Sequence, residues 1–233
     1  MKALSEKFPP LILLALALFY SPAGHAQDAP AGEPPPPTPP YVGDLSGNFT
    51  LVAKYTYKAP DPQMSAAEKV AQDALSPAST KPQEIDIIKN GPVRKDTLHF
   101  VDGSSRDIWR QQSFRFSVYS AHPDSIIVDV VSNSTSPTAS NQYRDAADFS
   151  ELSWIDGSAY RGVQMQQGKK CYFFQKNDKS AWIDAATRLP VYFDSKALQV
   201  TYTVSDPPDE PLQLPKAYAE KLIKFQRALR GQM

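Results

Sequence analysis

His99, His122, Cys171 and Asp184 are the residues whose side chains could do chemistry, and their neighbours decide what kind. Three histidines occur in the chain, and only His99 and His122 lie beyond the N-terminal leader. His99 sits in an alternating apolar stretch and His122 in His122-Pro123-Asp124, with no H-x-x-x-H or C-x-x-C spacing to gather metal ligands. Cys171 is the only cysteine, so no internal disulfide can form. Its apolar neighbours Tyr172, Phe173 and Phe174 mark it as a small buried side chain rather than a thiolate nucleophile. Asp184 follows Trp182-Ile183 and precedes Ala185-Ala186-Thr187. A carboxylate there can accept a backbone N–H from two residues on and set a turn, whereas catalysis would need a second acid or base nearby. The chain holds no G-x-S-x-G elbow, P-loop or dinucleotide fingerprint. The expectation is no catalytic residue, no metal, no cofactor and no enzyme.

The aromatic residues point elsewhere. Phe49, Tyr55, Tyr57, Phe114, Phe116, Tyr172, Phe174 and Trp182, with Tyr192, all fall in strand-like alternation. Apolar side chains on a curved sheet must be covered by helices or by an apolar guest. These eight residues are therefore the candidate ligand contacts, and the expected ligand is an apolar small molecule or acyl chain. An ordinary core beneath packed helices accounts for the same residues.

The elements that must position them can be read in order. Phe49, Leu51, Ala53, Tyr55 and Tyr57 alternate with polar or smaller residues over residues 45–58, a half-buried strand. Met64, Ala67, Val70, Ala71, Ala74 and Leu75 recur at helical spacing over residues 63–75 and predict an amphipathic helix covering a face or end of the sheet. Ser76-Pro77 stops it. Strands return from Gln83, with turns at Asn90-Gly91-Pro92, Asp102-Gly103 and His122-Pro123-Asp124. Residues 132–141 read as a loop, and residues 145–154 fit either a short helix or a strand. Residues 160–204 are the densest strand region, three or four strands with Asp184-Ala185-Ala186-Thr187 between two of them. Pro207, Pro208 and Pro211 keep the next segment irregular. Pro215 opens a last helix over residues 215–230, with Tyr218, Leu222, Phe225 and Leu229 as its apolar stripe.

The beginning of the chain reads as a secretory signal over residues 1–26: Lys2 and Lys7, an apolar run, then Gly24-His25-Ala26. Residues 27–44 are a proline-rich tether, with Pro34 to Pro37 consecutive. Residues 45–233 are the length of one domain with a sizeable core. The apolar run of the leader, Leu11 to Tyr20, is too short for a membrane span, and no later segment approaches the roughly 20 apolar residues of a membrane-spanning helix. The expected location is periplasmic or secreted. Lys plus Arg and Asp plus Glu number 25 each, so no net field draws a phosphate backbone, and nucleic acid is not an expected partner.

The run Gly168-Lys169-Lys170-Cys171-Tyr172-Phe173-Phe174, followed by Trp182-Ile183-Asp184-Ala185-Ala186-Thr187-Arg188-Leu189-Pro190, resembles the closing half of periplasmic LolA-like lipoprotein carriers, where a strand, a W-I-D-x-x-T-x-L-P turn and a returning strand recur. Ile85 to Gly91 and on through Val118-Tyr119 is loosely similar to the first half of that family. The resemblance implies an α+β fold: an antiparallel, strongly curved sheet, an unclosed half-barrel with helices on its concave side. It also implies non-catalytic binding of a lipid or other apolar ligand. The chain departs from the pattern in placing its helix after the first strand and a proline-rich segment before it. The alternative is a structural domain of the cell envelope that docks a partner protein through a sheet edge or the C-terminal helix.

Overall fold

The computed structural model describes residues 35–60, 62–130 and 149–231; the secretory-signal reading and the 132–141 loop lie outside them. Eleven strands form a single antiparallel sheet: β1 (Phe49–Tyr57), β2 (Pro82–Asn90), β3 (Val93–Phe100), β4 (Ser105–Gln111), β5 (Phe114–Tyr119), β6 (His122–Val130), β7 (Tyr160–Gln166), β8 (Lys169–Lys176), β9 (Lys179–Asp184), β10 (Pro190–Asp194) and β11 (Leu198–Ser205). The spatial order is β6-β5-β4-β3-β2-β1-β11-β10-β9-β8-β7, so the sheet is open, with β6 and β7 at its edges. Two runs of sequential hairpins meet where β1 pairs with β11. Left-handed backbone at Gly91 and Gly103 allows two of those tight reversals.

Alternation gives the sheet two faces with different jobs. The first face carries Phe49, Leu51 and Ala53 of β1. Across the pairings it continues to Ile85 and Ile87 on one side, and to Val200, Tyr202, Phe193, Ala181, Ile183, Tyr172 and Phe174 on the other. These residues are buried in one core. Its cover is irregular chain. Tyr41, Val42 and Leu45 pack on it from before β1, and Phe149, Leu152, Trp154, Ile155 and Ala159 from before β7. Residues 145–154 thus supply a short 3-10 turn, Ser150–Leu152, rather than a strand or longer helix within the part described.

On the other half of the sheet it is the second face that gains a helical cover. Helix α2 (Lys216–Leu229) lies over β4 to β6. Tyr218 stacks on Phe116 at 6.0 Å and meets Trp109 edge-on at 5.9 Å, while Phe225 meets Phe114 at 6.3 Å. The proline-rich segment before it is tied to the sheet by Asn90, whose Nδ2 donates to the carbonyls of Pro208 and Glu210 at 2.6 and 2.7 Å. The last helix therefore packs on its own sheet, as its stripe predicts, and on the face opposite the main core.

Three expectations need correction. Helix α1 (Ala66–Leu75) forms, started by the reciprocal pair in which Ser65 Oγ accepts from Glu68 N and Glu68 accepts from Ser65 N. It does not cover the sheet: Ala67, Val70, Ala71 and Ala74 are exposed, Val70 by 69%. Local capping suffices to make the helix, while nothing in a 3.6-residue period specifies a partner. Second, His122-Pro123-Asp124 is not a turn. The chain reverses at Ser120-Ala121 and β6 starts at His122, a place where proline is tolerated because β6 is an edge strand. Third, residues 160–204 hold five strands rather than three or four.

Candidate functional site

The eight candidate ligand contacts are divided between the faces. Phe49, Tyr55, Tyr57, Tyr172 and Phe174 belong to the first face; Phe114, Phe116 and Trp182 belong to the second. No single cavity can be lined by all eight, because strand residues of opposite parity point away from each other. Phe116 and Phe114 are under α2. Trp182 stands between Phe173 and Tyr192, at 4.9 and 5.4 Å, and its Nε1 donates to Gln164 at 2.9 Å. That cross-strand aromatic row accounts for the apolar residues on the second side of β8, where no helix lies among the described residues.

The first-face group is contiguous. Phe174 and Tyr172 are almost fully buried, touched edge-on by Tyr160, and Phe174 also by Tyr41 at 5.8 Å. The two covering segments touch one another: a Cβ on Gly157 would lie 2.7 Å from the Tyr41 hydroxyl. Residues 41–45 are held to the sheet by Gly43 N donating to Arg188 O at 2.8 Å. The second segment is held by Tyr202, whose hydroxyl donates to Glu151, and by Asp156, which accepts from Ser158 N and Ala159 N and pairs with Lys176 at 2.8 Å. Burial, and secondarily the Glu151 carboxylate, push the Tyr55 and Tyr202 hydroxyls well above the ordinary tyrosine range. Both phenols are neutral donors across the physiological range.

A cavity of about 530 Å³ opens beside this core, at the start of β1 and the end of β11. Leu45, Phe49, Leu189 and Val204 supply apolar lining, and Asp44 and Asp206 supply charge. The recess is wide open to solvent, and its lining is more polar than apolar.

Of the residues considered for chemistry, Cys171, Asp184 and His99 are engaged within the fold, and His122 is exposed at the start of β6. Cys171 is buried, its thiol donating to Lys169 O at 3.6 Å, and burial, with Asp184 adding, pushes it up to about 11. Asp184 accepts from Ala186 N and Thr187 N at 2.8 and 3.2 Å, the turn-setting role expected of it. His99 Nε2 lies 3.2 Å from Asp86. With Glu84 these make the one group of metal-capable ligands among the described residues. Lys54 already neutralises Glu84 at 3.3 Å, so the group reads as an exposed ion-pair cluster.

A charged row was missed in the sequence. Arg94 and Arg110 both donate to Asp96, at 2.7 and 2.9 Å, and Arg115 pairs with Asp129 at 2.9 Å. Asp96 is 3% exposed. These side chains lie on the first face, in line with the apolar core. Arg94 and Asp96 share parity with Leu98, so the alternation carries the signal, but charged strand residues ordinarily face water.

No family model and no curated protein matches the sequence. Among solved structures, the chain is similar to the lipoprotein LppX of Mycobacterium tuberculosis at 10% identity and a TM-score of 0.37, over 71% of this chain and 89% of that one.

Proposed function

We propose that the chain is an exported, non-catalytic binding protein that holds an acyl chain or other apolar ligand against the first face of a curved, half-barrel sheet. The observation that carries this reading is the nature of the cover. The apolar face spanning β1, β2 and β7 to β11 is roofed, among the described residues, by irregular segments at 41–45 and 149–159, held by a few side-chain and backbone bonds. The second segment is linked to the strands by Tyr202–Glu151 and Lys176–Asp156, so lifting it breaks no bond of the strand ladder and costs less than global unfolding. The cavity beside Phe49 gives an entry point under that roof. Phe49, Tyr55, Tyr57, Tyr172 and Phe174 are the ligand contacts in this reading; Phe114, Phe116 and Trp182 support the sheet.

Magnitudes allow it. Burying a lauroyl chain contributes about 9 kcal/mol gross at ~0.8 kcal/mol per methylene, less the ordering of the chain and the roof contacts it displaces. With at least about 4 kcal/mol of such costs, a net dissociation constant of roughly 0.1–1 mM is the expectation. The occupied state of His99, Cys171 and Asp184 favours binding without reaction.

Trp154, in the roof, reports on the event. In a variant carrying Trp109→Phe and Trp182→Phe it is the sole tryptophan, since the chain has three. Titration of this full-length variant with monolaurin should shift Trp154 emission saturably, and native mass spectrometry should show the matching mass. Unchanged emission with no adduct at millimolar monolaurin removes the proposal.

A further inference from the structure

The recess at the start of β1 has two kinds of wall. Leu45, Phe49 and Val204 are buried or half-buried, and they belong both to its lining and to the first-face core. Asp44, Ser46, Asn48, Thr187, Ser205 and Asp206 are exposed and form its rim. The Asn48 side-chain oxygen accepts from Gly91 N at 3.0 Å, and Thr187 Oγ1 accepts from Leu189 N at 3.3 Å. The Asn48 amide group and the Thr187 hydroxyl are left to donate. The described lining holds no lysine, arginine or histidine. Arg188, between Thr187 and Leu189, has its guanidinium over the Tyr172 ring instead, at 4.6 Å. Among the described residues no ion pair reaches Asp44 or Asp206.

Apolar side chains inside and polar ones at the rim match a single-chain amphiphile that stands with its tail inward. From Phe49 the apolar surface continues over Leu51, Val204 and Tyr202. Resting on the apolar-ligand reading above, we infer that the ligand is such an amphiphile, with its head at this rim, and that the head donates hydrogen bonds and carries no negative charge: a polyol or an ammonium group. Carboxylates only accept hydrogen bonds, so Asp44 and Asp206 are matched by hydroxyl or ammonium donors. An anionic head would meet two like charges with no cation in the lining to offset them. Two such repulsions across about 6 Å of water amount to roughly a tenfold loss of affinity at low ionic strength. The rim therefore sets specificity, while the tail supplies the affinity.

The full-length protein is dialysed to equilibrium against radiolabelled monolaurin, laurate and dodecylammonium, each as monomer and far below saturation, at pH 8 and low ionic strength. The three share one chain length and differ in the head. Laurate is expected to bind at least about tenfold more weakly than monolaurin. In the combined Asp44→Asn and Asp206→Asn variant, with folding confirmed by circular dichroism, that gap should narrow by about tenfold. The variant separates repulsion at the rim from any difference in solubility between the probes. Laurate binding as tightly as monolaurin, or a gap unchanged in the variant, overturns the headgroup inference and leaves apolar binding standing. Retention of none of the three removes both. Dodecylammonium held more tightly than monolaurin assigns the rim to an ammonium head, and the reverse order assigns it to a polyol.

Discussion

Cys171 shows how a strand environment disposes of a reactive group. The thiol is held at about 11 by burial first and by the nearby Asp184 charge second, so almost none is thiolate near neutrality. Iodoacetamide at pH 8 should leave the folded protein unlabelled over hours and modify it fully in urea; rapid labelling of the native state would contradict the burial. Asp184 makes the same point in reverse. Its turn-setting role was legible because an aspartate before Ala-Ala-Thr has a local geometry available. Arg94, Asp96 and Arg110 were not legible, since their meeting depends on three strands coming into register. Charged residues in strand alternation are normally assigned to the wet side, and no single strand says otherwise.

The two helices among the described residues separate local formation from tertiary use. Each has an amphipathic stripe, and by sequence α1 looked as able to cover the sheet as α2. Only α2 does so, because the segment anchored at Asn90 delivers it onto Trp109, Phe114 and Phe116. The energetic consequence is direct. Val70→Ala in α1 should change stability by less than about 0.5 kcal/mol, as expected of an exposed site. Tyr218→Ala in α2 should cost about 2–3 kcal/mol, because two aromatic contacts on a buried cluster are lost. Urea titration of the two variants checks this, and equal effects would mean that α1 packs on the sheet after all. Of the α2 stripe, Tyr218, Leu222 and Phe225 meet the sheet, while Leu229 stays exposed.

At the level of the whole molecule, the roof over the first face is where stability and function meet. Asp156 ties the second roof segment down, and its hydrogen bond from Lys176, then those from Ser158, hold its carboxyl at about 2. A lowered folded-state value means the contribution is complete above the ordinary carboxylate value near 4 and is lost as pH falls from there through about 2. Trp154 emission in the single-tryptophan variant should therefore change between about pH 4 and pH 2, and Asp156→Asn should remove that step. A transition unaffected by Asp156→Asn would place the acid-sensitive tie elsewhere.

Local chemistry carried far in this chain. Alternation, glycine turns and proline stops located ten of the strands' neighbourhoods, and the Trp182 to Pro190 turn formed as read, because each depends on residues within a few positions of one another; the antiparallel arrangement was implied by the family resemblance rather than by these local signals. Which face of the sheet each strand turns to the core was decided only in three dimensions. Period-two alternation marks two sides without saying which is inside, and so Phe116 and Phe174, alike in sequence, came to lie on opposite faces. The same long-range register put the charged row beside the apolar core, a juxtaposition that exists only once β1 to β6 are paired.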